Sequence, residues 1–329
     1  MIRSGVINID KPSGWTSHDV VAKIRNVIKI DKVGHTGTLD PLATGVLPVC
    51  FGKGTRIASF LTDVEKEYDV TLRLGEETDT QDAAGKVTQS FPLPTDIHSQ
   101  IPEVLAAFVG RTLQVPPMHS AIKIKGVRLY RLARTGKVID RPSRPITIST
   151  IQLYNMDGAD ISFRVVCRKG TYIRTLCADI GRRLGVGGHL FRLRRLRSGN
   201  FGILDAVEVE RFCALYQSGE HEKWVWPLGE ALKHLPEVML TGGDVLRLHR
   251  SLPIETEPVF QGGALEAGTI FRFVSSGGSL LAVAETTASP EVGTGKPQGA
   301  LASQGLSYKI RVMLSEREAV PDLTHSFSV

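Results

Sequence analysis

Residues 34–48, GHTGTLDPLATGVLP, constrain this chain more than any other stretch. Three glycines (Gly34, Gly37, Gly45) surround one imidazole, His35, and one carboxylate, Asp40. Thr36, Thr38 and Thr44 add hydroxyls, and no apolar period runs through the first half. Glycine at that density lets backbone approach another group closely. Asp40 precedes Pro41, which pushes its backbone toward the extended region. Asp followed by Pro also reads as a helix start, with Asp40 as N-cap and Pro41 in the first turn. A capping role and a reactive role for Asp40 are compatible.

The chain has 329 residues, enough for one large domain and a small one, and 42% of them are hydrophobic, which excludes a largely disordered chain. No apolar run reaches the length of a membrane span, and the first residues contain no secretory h-region. Cys50, Cys167, Cys177 and Cys213 form no C-x-x-C pair, and the flanks of Cys50 and Cys167 are apolar. Buried free thiols in a reducing cytoplasm fit them better than disulfides or zinc.

The net charge of +6 is unevenly spread. Residues 123–144 carry eight Lys/Arg against Asp140 alone, and residues 164–197 carry ten against Asp179 alone. Two basic blocks on an otherwise acidic chain point to a polyanion bound at a defined place. In the first block, the pairs Lys123/Lys125 and Arg131/Arg134 could clamp phosphates.

Residues 6–10 read as a strand. A helix follows, with Thr16 as N-cap, Asp19 three residues on, and a stripe of Val20, Val21, Ile24, Val27 and Ile28. Thr55 is expected to cap a short helix, RIASFL. Residues 66–75 alternate as a half-buried strand with Tyr68 at its inward end; core packing alone would account for that tyrosine. Residues 76–86 read as an acidic loop, and a helix around residues 97–108 is interrupted or restarted at Pro102. Residues 146–154 and 161–168 form a hairpin. Ile173, Leu176, Cys177, Ile180 and Leu184 form a helical stripe, with Tyr172 and Arg174 in the first turn. An arginine there opposes the helix dipole, which implies a partner for Arg174, most simply a carboxylate.

The pattern weakens over residues 217–236, read as a linker. Short β-like runs follow from 237 to 314, including VMLTGGDVLRL, with a Gly/Pro/Ser/Thr-rich insertion at 286–305 and a poorly ordered tail at 315–329. Lys296 is followed by Pro297, and position 290 is Pro where a phosphate loop needs Gly, so this is not such a loop.

GHTGTLDPLATGVLPV resembles the catalytic motif of the tRNA pseudouridine-55 synthases, the TruB family. GVINIDKPSGWTSHDVV resembles its N-terminal signature, and YDVTLRLGEETDTQDAAG its tyrosine strand and acidic loop. VPPMHSAIKIKGVRLYRLARTG is similar to its RNA-gripping insertion, and KGTYIRTL to its arginine motif. Together they cover about residues 5–205 in the expected order.

The resemblance implies an α+β fold, with a central mixed, mainly antiparallel sheet flanked by helices. Residues 1–216 would form the catalytic domain, with an RNA-gripping insertion at about 116–145, and residues 237–314 a small all-β PUA-like RNA-binding module. It implies isomerisation of uridine to pseudouridine at position 55 in the T loop of tRNA, by base flipping and without metal or cofactor. A monomer is the expected state. Asp40 matches the essential aspartate and Arg174 the arginine paired with it. Tyr68 matches the tyrosine that stacks on the target base and takes the final proton, and Tyr172 its neighbour. His35, expected on a mobile loop, matches the histidine that fills the space left by the flipped nucleotide. Leu193 matches an apolar pocket residue, with Leu196 as a rival register. His119 departs from the aromatic found in many relatives, and the insertion at 286–305 is unusual for a PUA domain.

Overall fold

The computed structural model describes residues 2–120, 122–124, 126–137, 139–250, 252, 254, 266–287, 299–301 and 306–315. Among them, eleven strands form one sheet: β1 (Gly5–Lys11), β2 (Val33–His35), β3 (Thr44–Phe51), β4 (Lys66–Leu74), β5 (Gly110–Gln114), β6 (Arg144–Asp157), β7 (Asp160–Cys167), β8 (Gly188–Ser198), β9 (Phe201–Gly202), β10 (Val207–Glu208) and β11 (Val225–Trp226). The order is β10-β1-β3-β8-β4-β7-β6-β5, with β2 on β3, β9 on β8 and β11 on β1. Only the β1–β10 and β3–β8 pairs are parallel. The sheet is therefore mixed and mainly antiparallel, as expected.

Period-2 burial sorts the side chains onto two faces. Ile7 and Ile9 of β1, Val70 and Leu72 of β4, and Phe163 and Val165 of β7 share one core. Helices α1 (Ser17–Ile28), α2 (Ile97–Ala106), α3 (Leu129–Arg134), α4 (Ile173–Arg183) and α5 (Val209–Ser218) follow in the chain, and Ile24, Ile101, Ile180 and Phe212 join that core. The Thr16–Asp19 capping box starts α1, as expected. Pro102 lies inside an uninterrupted α2.

Val6, Val46, Cys50 and Phe201 belong to a second cluster, together with Leu232, Val283 and Leu314. The last two bring in a second sheet of β12 (Glu237–Leu240), β13 (Ile270–Ser275), β14 (Leu280–Thr287), β15 (Gly299–Leu301) and β16 (Leu306–Met313), ordered β12-β13-β14-β16-β15. This small β-rich unit thus packs against the large sheet through a shared apolar core.

Several local expectations are corrected. Asp40 caps no helix: the Ala43 amide donates to its carbonyl (3.0 Å) in a turn, and Thr44 opens β3. The apolar run after the turn is drawn into the sheet, where Val46, Leu47 and Val49 are fully buried, and this overrides the Asp-Pro signal. Thr55 lies inside a 3₁₀ turn, Gly52–Ile57, and its hydroxyl donates to the Gly52 carbonyl; the helix itself is Ala58–Thr62. Within 217–236, Val225 and Trp226 pair with Ile7 and Val6 of β1, so part of the expected linker is an edge of the main sheet. The run VMLTGGDVLRL is strand only to Leu240; Thr241 then caps helix α6 (Gly242–His249). Of the insertion at 286–305, Gly299–Leu301 pairs with β16, residues 288–298 and 302–305 lie outside the described residues, and so does the tail beyond 315.

Phe201 is 1% exposed between the two sheets and stacks, tilted, on Trp226 (centroids 4.9 Å apart). We predict that Phe201→Ala lowers the unfolding free energy by about 3–5 kcal/mol. Amide exchange should quicken in β14 and β16 as well as β9. A loss below 1 kcal/mol in urea denaturation would contradict the shared core.

Candidate active site

Residues 36–43 have neither helix nor strand to satisfy their backbone. Neighbours supply the partners. The Ser17 hydroxyl accepts from the Leu39 amide (2.9 Å) and donates to its carbonyl (3.2 Å). The Gly14 amide donates to the Pro41 carbonyl (2.8 Å). Lys11, fully buried, directs its ammonium at the carbonyls of Pro12 (2.8 Å), Trp15 (2.6 Å) and Pro41 (3.4 Å). Burial pulls the Lys11 pKa down to about 8, against the attraction of Asp40.

Asp40 meets Arg174 there. Arg174 Nε lies 2.8 Å from one carboxylate oxygen, and an outer nitrogen donates to the other at 3.4 Å. The arginine is buried and stands in the first turn of α4, just after Tyr172, the N-cap. Its placement depends on how closely α4 approaches the sheet. A Cβ on Gly181 would come within 2.3 Å of the Gly187 backbone, so only glycine permits this distance. The other Arg174 donors go to the carbonyls of Thr80 (3.2 Å) and His119 (2.8 Å), and Asp82 lies 3.6 Å away. The mismatch with the helix dipole is thus answered by a carboxylate, as expected.

Asp82 is spoken for on its other side by the Thr80 hydroxyl (2.6 Å) and the Ala84 amide (3.1 Å). Its side chain is 8% exposed, against 36% for Asp40. Of the two acids on Arg174, only Asp40 can meet a substrate. Burial pushes the Asp40 carboxyl above the ordinary range; Arg174 pulls it back and the Asp82 charge adds to the push.

The sheet lies beside this pair, and the charge of Asp40 reaches Tyr68 on it. Tyr68 and Leu193 lie buried on one face, with Val70 opposite Leu193 and Arg195 opposite Tyr68. Leu196 falls on a bulge between Arg195 and Arg197, so Leu193 is the residue in register with the tyrosine face. Burial raises the Tyr68 phenol, and the Arg195 guanidinium works against that rise. Tyr172 is half-buried, its backbone locked to the Gln114 amide (2.9 and 3.1 Å), and burial raises its phenol too.

His35 is not on a loop; it ends β2, paired with Val49 of β3. Burial and the charges of His18 and Arg195 lower its pKa to about 4, so the ring is neutral at pH 7. The Gly37 amide donates to its Nδ1 (3.3 Å), which leaves the proton on Nε2.

Of the basic arm, Lys123 is exposed in a two-stranded hairpin, and Arg131 is exposed on α3. Arg134 ends α3, and Lys125 lies outside the described residues. Neither Lys123 nor Arg131 is among the side chains that contact Asp40. Sequence reasoning missed Lys11, Asp82 and Arg195. Lys11 offered a signal, a lysine at the end of a strand whose Val6, Ile7 and Ile9 are apolar. The other two offered none, since one sits in an acidic loop and the other in a run of arginines.

A partly exposed carboxylate, Asp40, is held by a buried arginine close to an aromatic and apolar sheet face. The first half of the chain, residues 25–173, matches the model of the TruB family pseudouridylate synthase N-terminal domain, and residues 174–233 match the tRNA pseudouridylate synthase B C-terminal domain. The chain is 42% identical to the tRNA pseudouridine synthase B of Geobacter sulfurreducens over 86% of this chain and 94% of that one. It is 44% identical to the enzyme of the same name from Clostridium kluyveri, over 77% and 86%. Among solved structures, a chain of an H/ACA ribonucleoprotein bound to a substrate RNA containing 2′-deoxyuridine superposes with a TM-score of 0.73 at 26% identity, over 96% of this chain and 87% of that one. The chain belongs to the TruB family of pseudouridylate synthases.

Reaction at Asp40 would need its carboxylate form. Its rate of pseudouridine formation should therefore fall as pH drops through a pKa above the ordinary aspartate value of about 3.9. We predict that Arg174→Met moves this acid limb to higher pH, because the attractive charge is lost. Asp82→Asn should move it to lower pH while reducing the plateau rate, because repulsion is lost and Arg174 is less well held. Single-turnover rates across pH check both; limbs that move together, or not at all, would refute the assigned couplings.

Proposed function

We propose that this enzyme converts uridine to pseudouridine at position 55 in the T loop of tRNA, with Asp40 acting at the sugar of an extruded nucleotide. The observation that carries the reading is the Asp40–Arg174 pair, one reactive carboxylate oriented beside a buried tyrosine. Isomerisation breaks one glycosidic bond and re-forms a carbon–carbon bond to the same ribose. It needs no redox partner, and one carboxylate suffices to attack the sugar or stabilise it. Arg174 keeps Asp40 ionised and aimed.

A uridine must leave its stack to reach Asp40, at a cost of a few kcal/mol that a loop reduces. Tyr68 offers a ring face worth about 1–3 kcal/mol per stacked base. As a neutral phenol it brings a hydroxyl, not a phenolate. Leu193, on the same face of the sheet, would bound the pocket, with Tyr172, the N-cap of α4, as a further wall. His35, uncharged and on a strand, fills vacated space by shape and by one N–H donor.

Lys123 and Arg131, with Lys125 and Arg134, grip the backbone of the stem-loop, and the C-terminal β unit is a PUA-like module on the same RNA. The enzyme works as a monomer, and its four buried thiols suit the cytoplasm.

With a T-loop hairpin, Asp40→Asn should abolish pseudouridine formation while the hairpin's Kd stays within about threefold, because the contacts that bind RNA are elsewhere. Persisting turnover would reject Asp40 as the reacting group. Lys123→Ala should lower the slope of log K against log salt by about one; an unchanged slope would remove that arm from the interface. An unchanged position 55 in tRNA from cells lacking the protein would reject the substrate.

A further inference from the structure

We propose that Arg195 is a positioning residue of this active site, one guanidinium that fixes both ends of the segment carrying Asp40 and stands beside Tyr68. The inference rests on Asp40 as the reacting carboxylate, but it concerns a residue that touches neither Asp40 nor substrate.

Arg195 is the largest side chain in the fully buried set, 1% exposed. Its Nε donates to the Val46 carbonyl (2.6 Å), and an outer nitrogen donates to the Gly37 carbonyl (3.1 Å). Asp40 lies between those two anchor points. One rigid fork therefore sets the distance between the start and the end of the catalytic segment. The backbone agrees with the side chain. Arg195 lies opposite Gly45 on β3 and opposite Tyr68 on β4, next to Arg194, with which it bridges the two strands. Gly45 has φ +99, and a Cβ there would come within 2.2 Å of the Arg195 carbonyl. No side chain fits, so the exit of the catalytic segment is pressed against the Arg195 backbone.

Charge is the second argument. Among the described residues no carboxylate forms an ion pair with Arg195; carbonyl dipoles hold it. Burying an arginine without a counter-charge is costly, and an apolar residue of similar volume would spare that cost. A purely structural post has no need of the charge. Here the charge reaches His35, Lys11, Lys66 and Tyr68, and in each case it disfavours a further positive charge or favours the phenolate. Lysine could supply the charge but not both carbonyl contacts in one plane.

The experiment uses the full-length wild type, Arg195→Lys and Arg195→Met, each also prepared with 3-fluorotyrosine at position 68. Single-turnover rates at saturating T-loop hairpin, hairpin Kd, near-UV circular dichroism and the ¹⁹F titration of residue 68 are read. Arg195→Met should keep its Kd within threefold and lose at least 100-fold in rate. Arg195→Lys should recover at least tenfold of that loss. The ¹⁹F midpoint should move up in Arg195→Met and lie between in Arg195→Lys. A folded Arg195→Met that turns over within threefold of wild type, or a loss confined to Kd, would overturn the proposal. Should Arg195→Met fail to fold, Arg195→Lys decides: a tenfold slower rate with a displaced ¹⁹F signal supports the role, and wild-type values in both overturn it. A wild type that leaves the hairpin unmodified would count against the substrate instead, and the ¹⁹F comparison alone would then decide on Arg195.

Discussion

Asp40, the carboxylate proposed to react, sits on a segment that has no secondary structure of its own, and this constraint shapes the rest of the site. Buried carbonyls must find donors. Here many of the donors are cations. Arg195 takes the carbonyls of Gly37 and Val46, Lys11 takes that of Pro41, and Arg174 takes the Asp40 carboxylate itself. Among the described residues, Arg195 and Lys11 are held by carbonyls rather than carboxylates, while Arg174 faces both Asp40 and Asp82. The one other carboxylate, Asp82, has its lone pairs committed to Thr80, Ala84 and Arg174.

This arrangement trades stability for preorganisation. Burial draws the pKa of Lys11 and of Lys66 down to about 8. At pH 7 both still carry a proton, so the folded state bears the cost of burying that charge. The sign follows from linkage: with the folded pKa below the unfolded one, the cost lifts only as pH rises from about 8 toward about 10.4. Asp40, whose pKa is shifted upward, carries the opposite cost: ionising it is harder in the fold than in the unfolded chain, and the ionised form is the one the proposed chemistry needs.

Much of this was legible in the sequence wherever a local rule carried the information. Alternation placed Tyr68 inward, and the sheet confirms its face. The dipole mismatch at Arg174 pointed to a carboxylate partner, which the structure supplies 134 residues away in the chain. The Thr16–Asp19 box marked the start of α1. What failed were rules that two structures satisfy equally. Asp-Pro starts helices and turns alike, and only the burial of the strand behind it decided for a turn. The helix at Gly242–His249 begins with two glycines, inside a run that reads as β-like. A strand of two residues, Val225–Trp226, is too short for any period. Asp82 and Arg195 look like their solvated neighbours along the chain, because what distinguishes them is contact across more than 90 residues.

The central claim is that this cradle presents Asp40, and no other acid, to an extruded uridine. The most direct measurement is a crystal structure of the Asp40→Asn enzyme with a T-loop hairpin that keeps uridine at the target position. The account predicts the target base out of the loop stack with its ring against Tyr68, residue 40 as the nearest carboxyl-type side chain to the sugar, and the anchors of Arg195 on Gly37 and Val46 unchanged. A target base still stacked in the loop, or a sugar that lies nearer to Asp82 or another acid than to residue 40, would contradict it.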